Sequence, residues 1–199
     1  MIRDDLEREE LQIEKENALE RSLREWEMDH PALREVDRCQ EAAEKISEIE
    51  SLKPQLWREM DEAGRRWTLE EVGRKLSRIY RCPKPPLLTE NGEGKEMGSY
   101  EEENWMIKAD KEILLSDDPR KALKTYLHEF RHSYQIEQIR AYEKGLAVDD
   151  QQKAQLWAEN IKNYVESPQE DYESQPLERD ANRFADQIAE RVFRKIEER

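Results

Sequence analysis

The spacing of apolar residues divides the chain into stretches with different periods. From Ile2 to about Met28 the apolar positions are Leu6, Ile13, Leu19, Leu23 and Trp26. They hold no continuous stripe at a period of 3.6, so the helix expected here has a weak face. Pro31 restarts the chain, and Val36, Cys39, Ala43, Ile46 and Ile49 then recur at steps of three and four. Pro54 opens a third segment, with Trp57 and Met60; proline suits a first helical turn. Residues 1–66 thus read as a charged helical segment. Its helices either fold back onto the remainder or form a coiled-coil or docking arm for self-association or a protein partner, although sustained heptads are absent.

The pattern tightens at Trp67. Thr68 followed by Glu71 reads as a capping box, with Leu69, Val72, Leu76 and Ile79 as an apolar stripe behind it. Pro83, Pro85 and Pro86 stop that helix. Between about Leu87 and Ala109 the period changes: Asn91-Gly92 and Gly94 mark turns, and Trp105, Ile107 and Ala109 alternate with polar neighbours. This predicts two or three short antiparallel strands with one buried face. Asp118-Pro119 starts a helix with Leu123, Tyr126, Leu127, Phe130 and Tyr134 on its face, and Gly145 ends it. Asp149 is placed to cap a further helix through Ala154, Trp157, Ile161 and Tyr164, which Ser167-Pro168 terminates. The last helix begins near Pro176 and aligns Leu177, Ala181, Phe184, Ile188, Val192 and Ile196. The expected fold is α+β and mostly helical: a domain over 67–199 with a small antiparallel sheet, preceded by the acidic helical segment 1–66.

Composition narrows the functional classes. Of 199 residues, 41% are charged and 36% apolar, and the formal net charge is −14. That sign opposes binding nucleic acid through a broad basic face, which depends on many Lys/Arg–phosphate contacts. The two cysteines, Cys39 and Cys82, fit no C-x-x-C pattern and rule out a disulfide scaffold. No stretch approaches the roughly 20 apolar residues of a membrane span, and the charged N-terminus lacks the apolar run of a signal peptide. A cytoplasmic location is the default expectation, with delivery by a signal-independent route left open.

The chemistry is concentrated in Leu127-His128-Glu129-Phe130-Arg131-His132, an H-E-x-x-H sequence on the helix that starts at Pro119. Residues four apart lie one turn apart on the same helix face, so both imidazoles can reach one ion. Zinc accepts neutral His nitrogen at about 2.0–2.1 Å in a tetrahedral site. A Glu directly after the first His turns toward the open coordination position, where it can act as general base on a water and return the proton to a leaving amine. Two of the chain's three histidines fall in this pattern. The plainer alternative is a helix with two surface histidines flanking a solvated Glu.

A catalytic zinc needs a third protein ligand. His30 precedes a proline in the charged N-terminal segment and is a poor candidate. Glu178 is the better one: it lies at the edge of the apolar stripe, in the first turns of the last helix, where Ala181 and Ala185 allow close approach to the motif helix. Its plainer role is a carboxylate favoured by the helix dipole. For oxyanion stabilisation Tyr164, Tyr172 and Tyr134 are the candidates, each also readable as a core or interface tyrosine. Arg131 points away from the metal and reads as an ion-pair partner. The strand Trp105–Ala109, with Trp105 and Ile107, is expected to take an extended substrate by edge pairing.

With these residues on one line, the chain resembles zincins of the gluzincin type, in which H-E-x-x-H is followed by a glutamate ligand on a later helix. The run Glu178-x-x-Ala181-Asn182-x-Phe184-Ala185 is similar to the ImmA/IrrE-like metallopeptidases, and Gly98-Ser99-Tyr100 through Asn104-Trp105-Met106-Ile107-Lys108 resembles their hairpin before the active-site helix. The resemblance covers residues 67–199. It implies His128, His132 and Glu178 as zinc ligands, Glu129 as base, and cleavage of peptide bonds in one or a few protein substrates. Phe130-Arg131 departs from the small or apolar pair common between Glu and His, so the substrate class does not transfer. H-E-x-R-H followed by Tyr-Gln also looks like zincin domains of bacterial toxins and effectors, which leaves a delivered protease as an alternative. A further alternative is a non-enzymatic module in which zinc is structural.

Overall fold

A computed structural model of the chain describes residues 31–91, 97–165 and 171–199. The expectations placed on Ile2–Met28, His30, Gly92, Gly94 and Ser167-Pro168 lie outside the described residues. The chain forms two compact units, Met1–Asp37 and Arg38–Arg199. The boundary expected near residue 66 therefore falls at residue 37. The reason is burial: Ile46, Leu52 and Trp57 are fully enclosed and belong to the same apolar cluster as Leu123, Phe130 and Ile188.

The described elements are helices α1 (Pro31–Ser47), α2 (Pro54–Glu59) and α3 (Glu62–Tyr80), strands β1 (Leu87–Glu90), β2 (Gly98–Glu101) and β3 (Met106–Asp110), then helices α4 (Lys111–Leu115), α5 (Pro119–Glu143), α6 (Gln151–Ile161) and α7 (Pro176–Glu197). The fold is α+β and mostly helical, as the periodicity predicts. Helices α2, α5 and α7 open on a proline at the first turn, because a proline there removes an N–H that has no intrahelical partner. Asp118 caps α5 by accepting from the Arg120 N–H at 2.9 Å. At the other end Gly145 takes a left-handed φ of 68°, so that its N–H reaches the Tyr142 carbonyl and the Leu146 N–H reaches Ala141.

Two caps differ from expectation. Helix α3 begins at Glu62, with Asp61 accepting from Gly64 N–H, so Thr68 is mid-helix; its hydroxyl donates back to the Gly64 carbonyl instead of capping. Asp150, not Asp149, caps α6. Asp149 instead accepts the Tyr134 hydroxyl at 2.7 Å and pairs with Arg38.

The sheet is mixed, in the order β1-β3-β2. β2 and β3 form the antiparallel hairpin, with Gly98 opposite Ala109 and Tyr100 opposite Ile107, whereas β1 runs parallel to β3, with Leu87 opposite Ile107. An all-antiparallel sheet was the expectation. Alternation fixes which face is buried but carries no information on strand order, and inserting β2 at the far edge leaves β1 and β3 pointing the same way. Trp105 is not in a strand: it closes the hairpin turn with a left-handed φ of 51°.

Helix α5 is the centre of the molecule. It packs on α7, α6, α3 and the sheet, and is buried on several sides. Its polar residues Glu129, Arg131, Ser133 and Gln135 are consequently interior, and buried polar groups need partners.

Candidate metal centre

His128 and His132 sit one turn apart on α5, and Glu178 comes from the first turn of α7, which lies against it. His128 Nε2 and His132 Nε2 are 2.9 Å apart; Glu178 Oε2 is 3.2 Å from His128 Nε2, and Oε1 is 3.3 Å from His132 Nε2. Among the described residues these three form the group of side chains positioned to hold a metal ion. A tetrahedral zinc with ligand bonds of about 2.0–2.1 Å requires ligand atoms about 3.3 Å from one another. Both His–Glu178 separations meet that requirement, and the His128–His132 separation of 2.9 Å is shorter than it.

The donor set also has the chemistry of a cation site. Glu178 is 0% exposed, and its Oε2 accepts no aligned hydrogen bond. A buried carboxylate in that state is costly unless a positive charge faces it. Burial pushes the Glu178 carboxyl up, but the His128 and His132 rings beside it and the Tyr164 hydroxyl outweigh burial and hold it well below the ordinary carboxylate range. Two ring nitrogens aimed at each other across 2.9 Å can share at most one proton, and a metal ion satisfies both lone pairs.

Beside this trio lies a cleft of about 380 Å³, lined by Glu129 and His132 from α5, Gly98, Ser99 and Tyr100 from β2, and Tyr164 and Tyr172 from the far side. Tyr164 donates its hydroxyl to Glu178 Oε1 at 2.5 Å, and its ring meets Tyr172 edge-on with centroids 6.2 Å apart. Burial, reinforced by the neighbouring Glu178 carboxylate, raises both phenols far above the usual tyrosine value, so each stays protonated and able to donate. Both tyrosines expected near the site are therefore at it. Tyr134 is not: it faces the core, stacked edge-on with Tyr80 and Trp157.

The edge pairing expected of the Trp105–Ala109 strand is not available. Ile107 is fully buried, and β3 is the central strand with both edges paired, so it cannot accept another chain. The strand bordering the cleft is β2, a terminal strand whose outer edge has no sheet neighbour among the described residues. Gly98 is what lets β2 lie there. A Cβ built on it would stand 2.7 Å from Thr125 Cγ2 and 3.2 Å from Glu129 Cγ. Gly98→Ala should accordingly push β2 off α5 and cost about 1–3 kcal/mol of stability, read as a lower urea midpoint.

Arg131 behaves as an ion-pair partner. Only 1% exposed, it donates from Nε to Asp180 Oδ2 at 2.6 Å and from Nη2 to Oδ1 at 3.3 Å, enclosed by the rings of Tyr80, Tyr134, Trp157 and Phe184. The pair ties α5 to α7 beside both sets of ligands. Asp180→Ala strips the carboxylate from a buried guanidinium and should cost about 3–5 kcal/mol, measurable by denaturant unfolding. The pH dependence follows in sign. Burial raises the Asp180 carboxyl, but the charge and hydrogen bond of Arg131, with Lys153 and Gln135, outweigh it and leave the folded value depressed. Its contribution is then complete above the unfolded pKa of about 3.9, and is lost as pH falls through the lower folded value.

No protein-family model matches the chain, and neither a curated protein nor a solved structure matches it. What the site can do rests on its own geometry.

Proposed function

We propose that the chain is a zinc-dependent peptidase with a zincin-like catalytic domain, acting on an extended segment of a protein substrate. One observation carries the reading: three metal-ligand atoms are gathered within 2.9–3.3 Å of one another, beside a cleft that His132 and Glu129 line. His128, His132 and Glu178 would hold the ion. Zinc bound there supplies a Lewis acid that polarises a carbonyl and makes water more acidic.

The protein's own groups account for the rest. Glu129 is the base: its carboxylate takes a proton from the attacking water and returns it to the leaving amine. Tyr164 holds Glu178 through the carboxylate oxygen that its hydroxyl meets. Tyr172, protonated and bordering the same cleft, is the donor available to the oxyanion. The open edge of β2 offers backbone N–H and C=O groups to a substrate strand, which explains why a peptide, rather than a compact small molecule, suits the cleft. Nearby apolar residues Ile136, Ile161 and Leu177 give a side chain of that peptide somewhere to bind. A site whose zinc was only structural would have no use for a carboxylate beside the ligands. Loss of cleavage in Glu129→Gln with zinc retained is the test.

A further inference from the structure

Gln135 has no role in the motif, yet it is the most enclosed polar residue on α5, at 0% exposure. Its side chain touches three groups. Nε2 donates to the Leu177 carbonyl at 3.0 Å and to Asp180 Oδ2 at 3.0 Å, and Oε1 lies 2.9 Å from His132 Nδ1.

Which end of the amide faces which partner follows from chemistry. A backbone carbonyl can only accept, and so can a carboxylate gripped at both oxygens by a guanidinium, as Asp180 is by Arg131. Both therefore demand the NH2 end. The carbonyl end is left for His132, and a carbonyl oxygen can only accept, so His132 Nδ1 must carry the proton. In a neutral imidazole the lone pair is then on Nε2, the atom that faces His128 and Glu178.

We infer that Gln135 is a positioning residue that fixes His132 as the Nδ1-protonated tautomer, with the Arg131–Asp180 pair and the Leu177 carbonyl locking the amide in the one orientation that does so. The inference rests on the zinc reading for its purpose but not for its geometry. The lock also links the two helices, because Gln135 and Arg131 come from α5 while Asp180 and Leu177 come from α7. A disturbance of the buried pair would thus reach the metal ligand through a single amide. Partners of this kind in metal sites typically change metal affinity by about 10–100-fold when removed.

The test uses the full-length, metal-free protein labelled with nitrogen-15 at histidine, with signals assigned from His30→Gln and His128→Gln. In the wild type, at a pH of about 9 where the ring is neutral, His132 should show a protonated Nδ1 and an unprotonated Nε2. Gln135→Met, close in size but without the amide, should release that preference and weaken zinc binding by about 10–100-fold. Gln135→Glu keeps an acceptor for Nδ1–H and should restore the tautomer, although it lacks the donors for Asp180 and Leu177. Wild-type His132 protonated on Nε2 would overturn the inference without any variant having to fold. So would a folded Gln135→Met protein with unchanged tautomer and zinc affinity. A wild type with the Nδ1–H tautomer but no zinc affinity would uphold the positioning and sink the peptidase reading instead, so the two can fail separately.

Discussion

Glu129→Gln should leave zinc bound and the fold intact while lowering peptide-bond cleavage by at least about 10²–10⁴-fold, the usual contribution of a positioned proton-transfer group. The substitution keeps the size and most of the hydrogen bonding of a residue only 5% exposed, so α5 has little reason to move. It removes the capacity to accept a proton. The same carboxylate serves both water attack and departure of the amine; Glu102, the other carboxylate lining the cleft, is paired with Arg140, and Tyr164 and Tyr172 have their proton affinity raised and act as donors. The loss should fall on kcat, with KM nearly unchanged, since β2 and the apolar side of the cleft still bind the substrate. The readout is cleavage of an unfolded protein by wild type and variant at equal zinc content. Equal rates would take Glu129 out of the mechanism.

The parts of the site that were legible in the sequence share a property: their geometry follows from helix period alone. His128, Glu129 and His132 are placed by the 3.6-residue repeat, and the last helix could be phased from Leu177 to Ile196, which puts Glu178 at the edge of its buried stripe. Pairing those helices needed only the small residues Ala181 and Ala185, both buried. The expected ion-pair role of Arg131 was readable because a charged residue on a buried helix must find a partner.

What could not be read depends on contacts between distant segments. Strand order is one example. Ile107 and Ala109 alternate as a half-buried strand should, but nothing in their spacing says that β3 lies between two neighbours and so cannot serve as a substrate edge. Gly98 is another: glycine in a strand suggests close approach, yet Thr125 and Glu129 become its neighbours only once β2 packs on α5. Residues 38–66 were separable on charge, but Trp57 donates its indole N–H to the Ser116 carbonyl, which also accepts from Arg65 Nη1, and this binds α2, α3 and the α4–α5 turn together. Gln135 did leave a trace. It stands three residues after His132, hence on the same side of the helix, where a polar residue beside a metal-ligand histidine is a candidate partner for its second nitrogen.

The central claim is the metal site, and metal content of the purified protein tests it most directly. Wild type should carry about one zinc per chain. His128→Ala and His132→Ala should each abolish binding, because two remaining ligands cannot complete the site, and His30→Ala should leave it unchanged. Glu178→Ala should weaken binding strongly, removing the only carboxylate in the described group and the negative charge that offsets the ion. Glu173→Ala, on a residue outside that group, should have little effect. Zinc lost from the three ligand variants and retained in the other two is the predicted result; equal metal content in all five would contradict it.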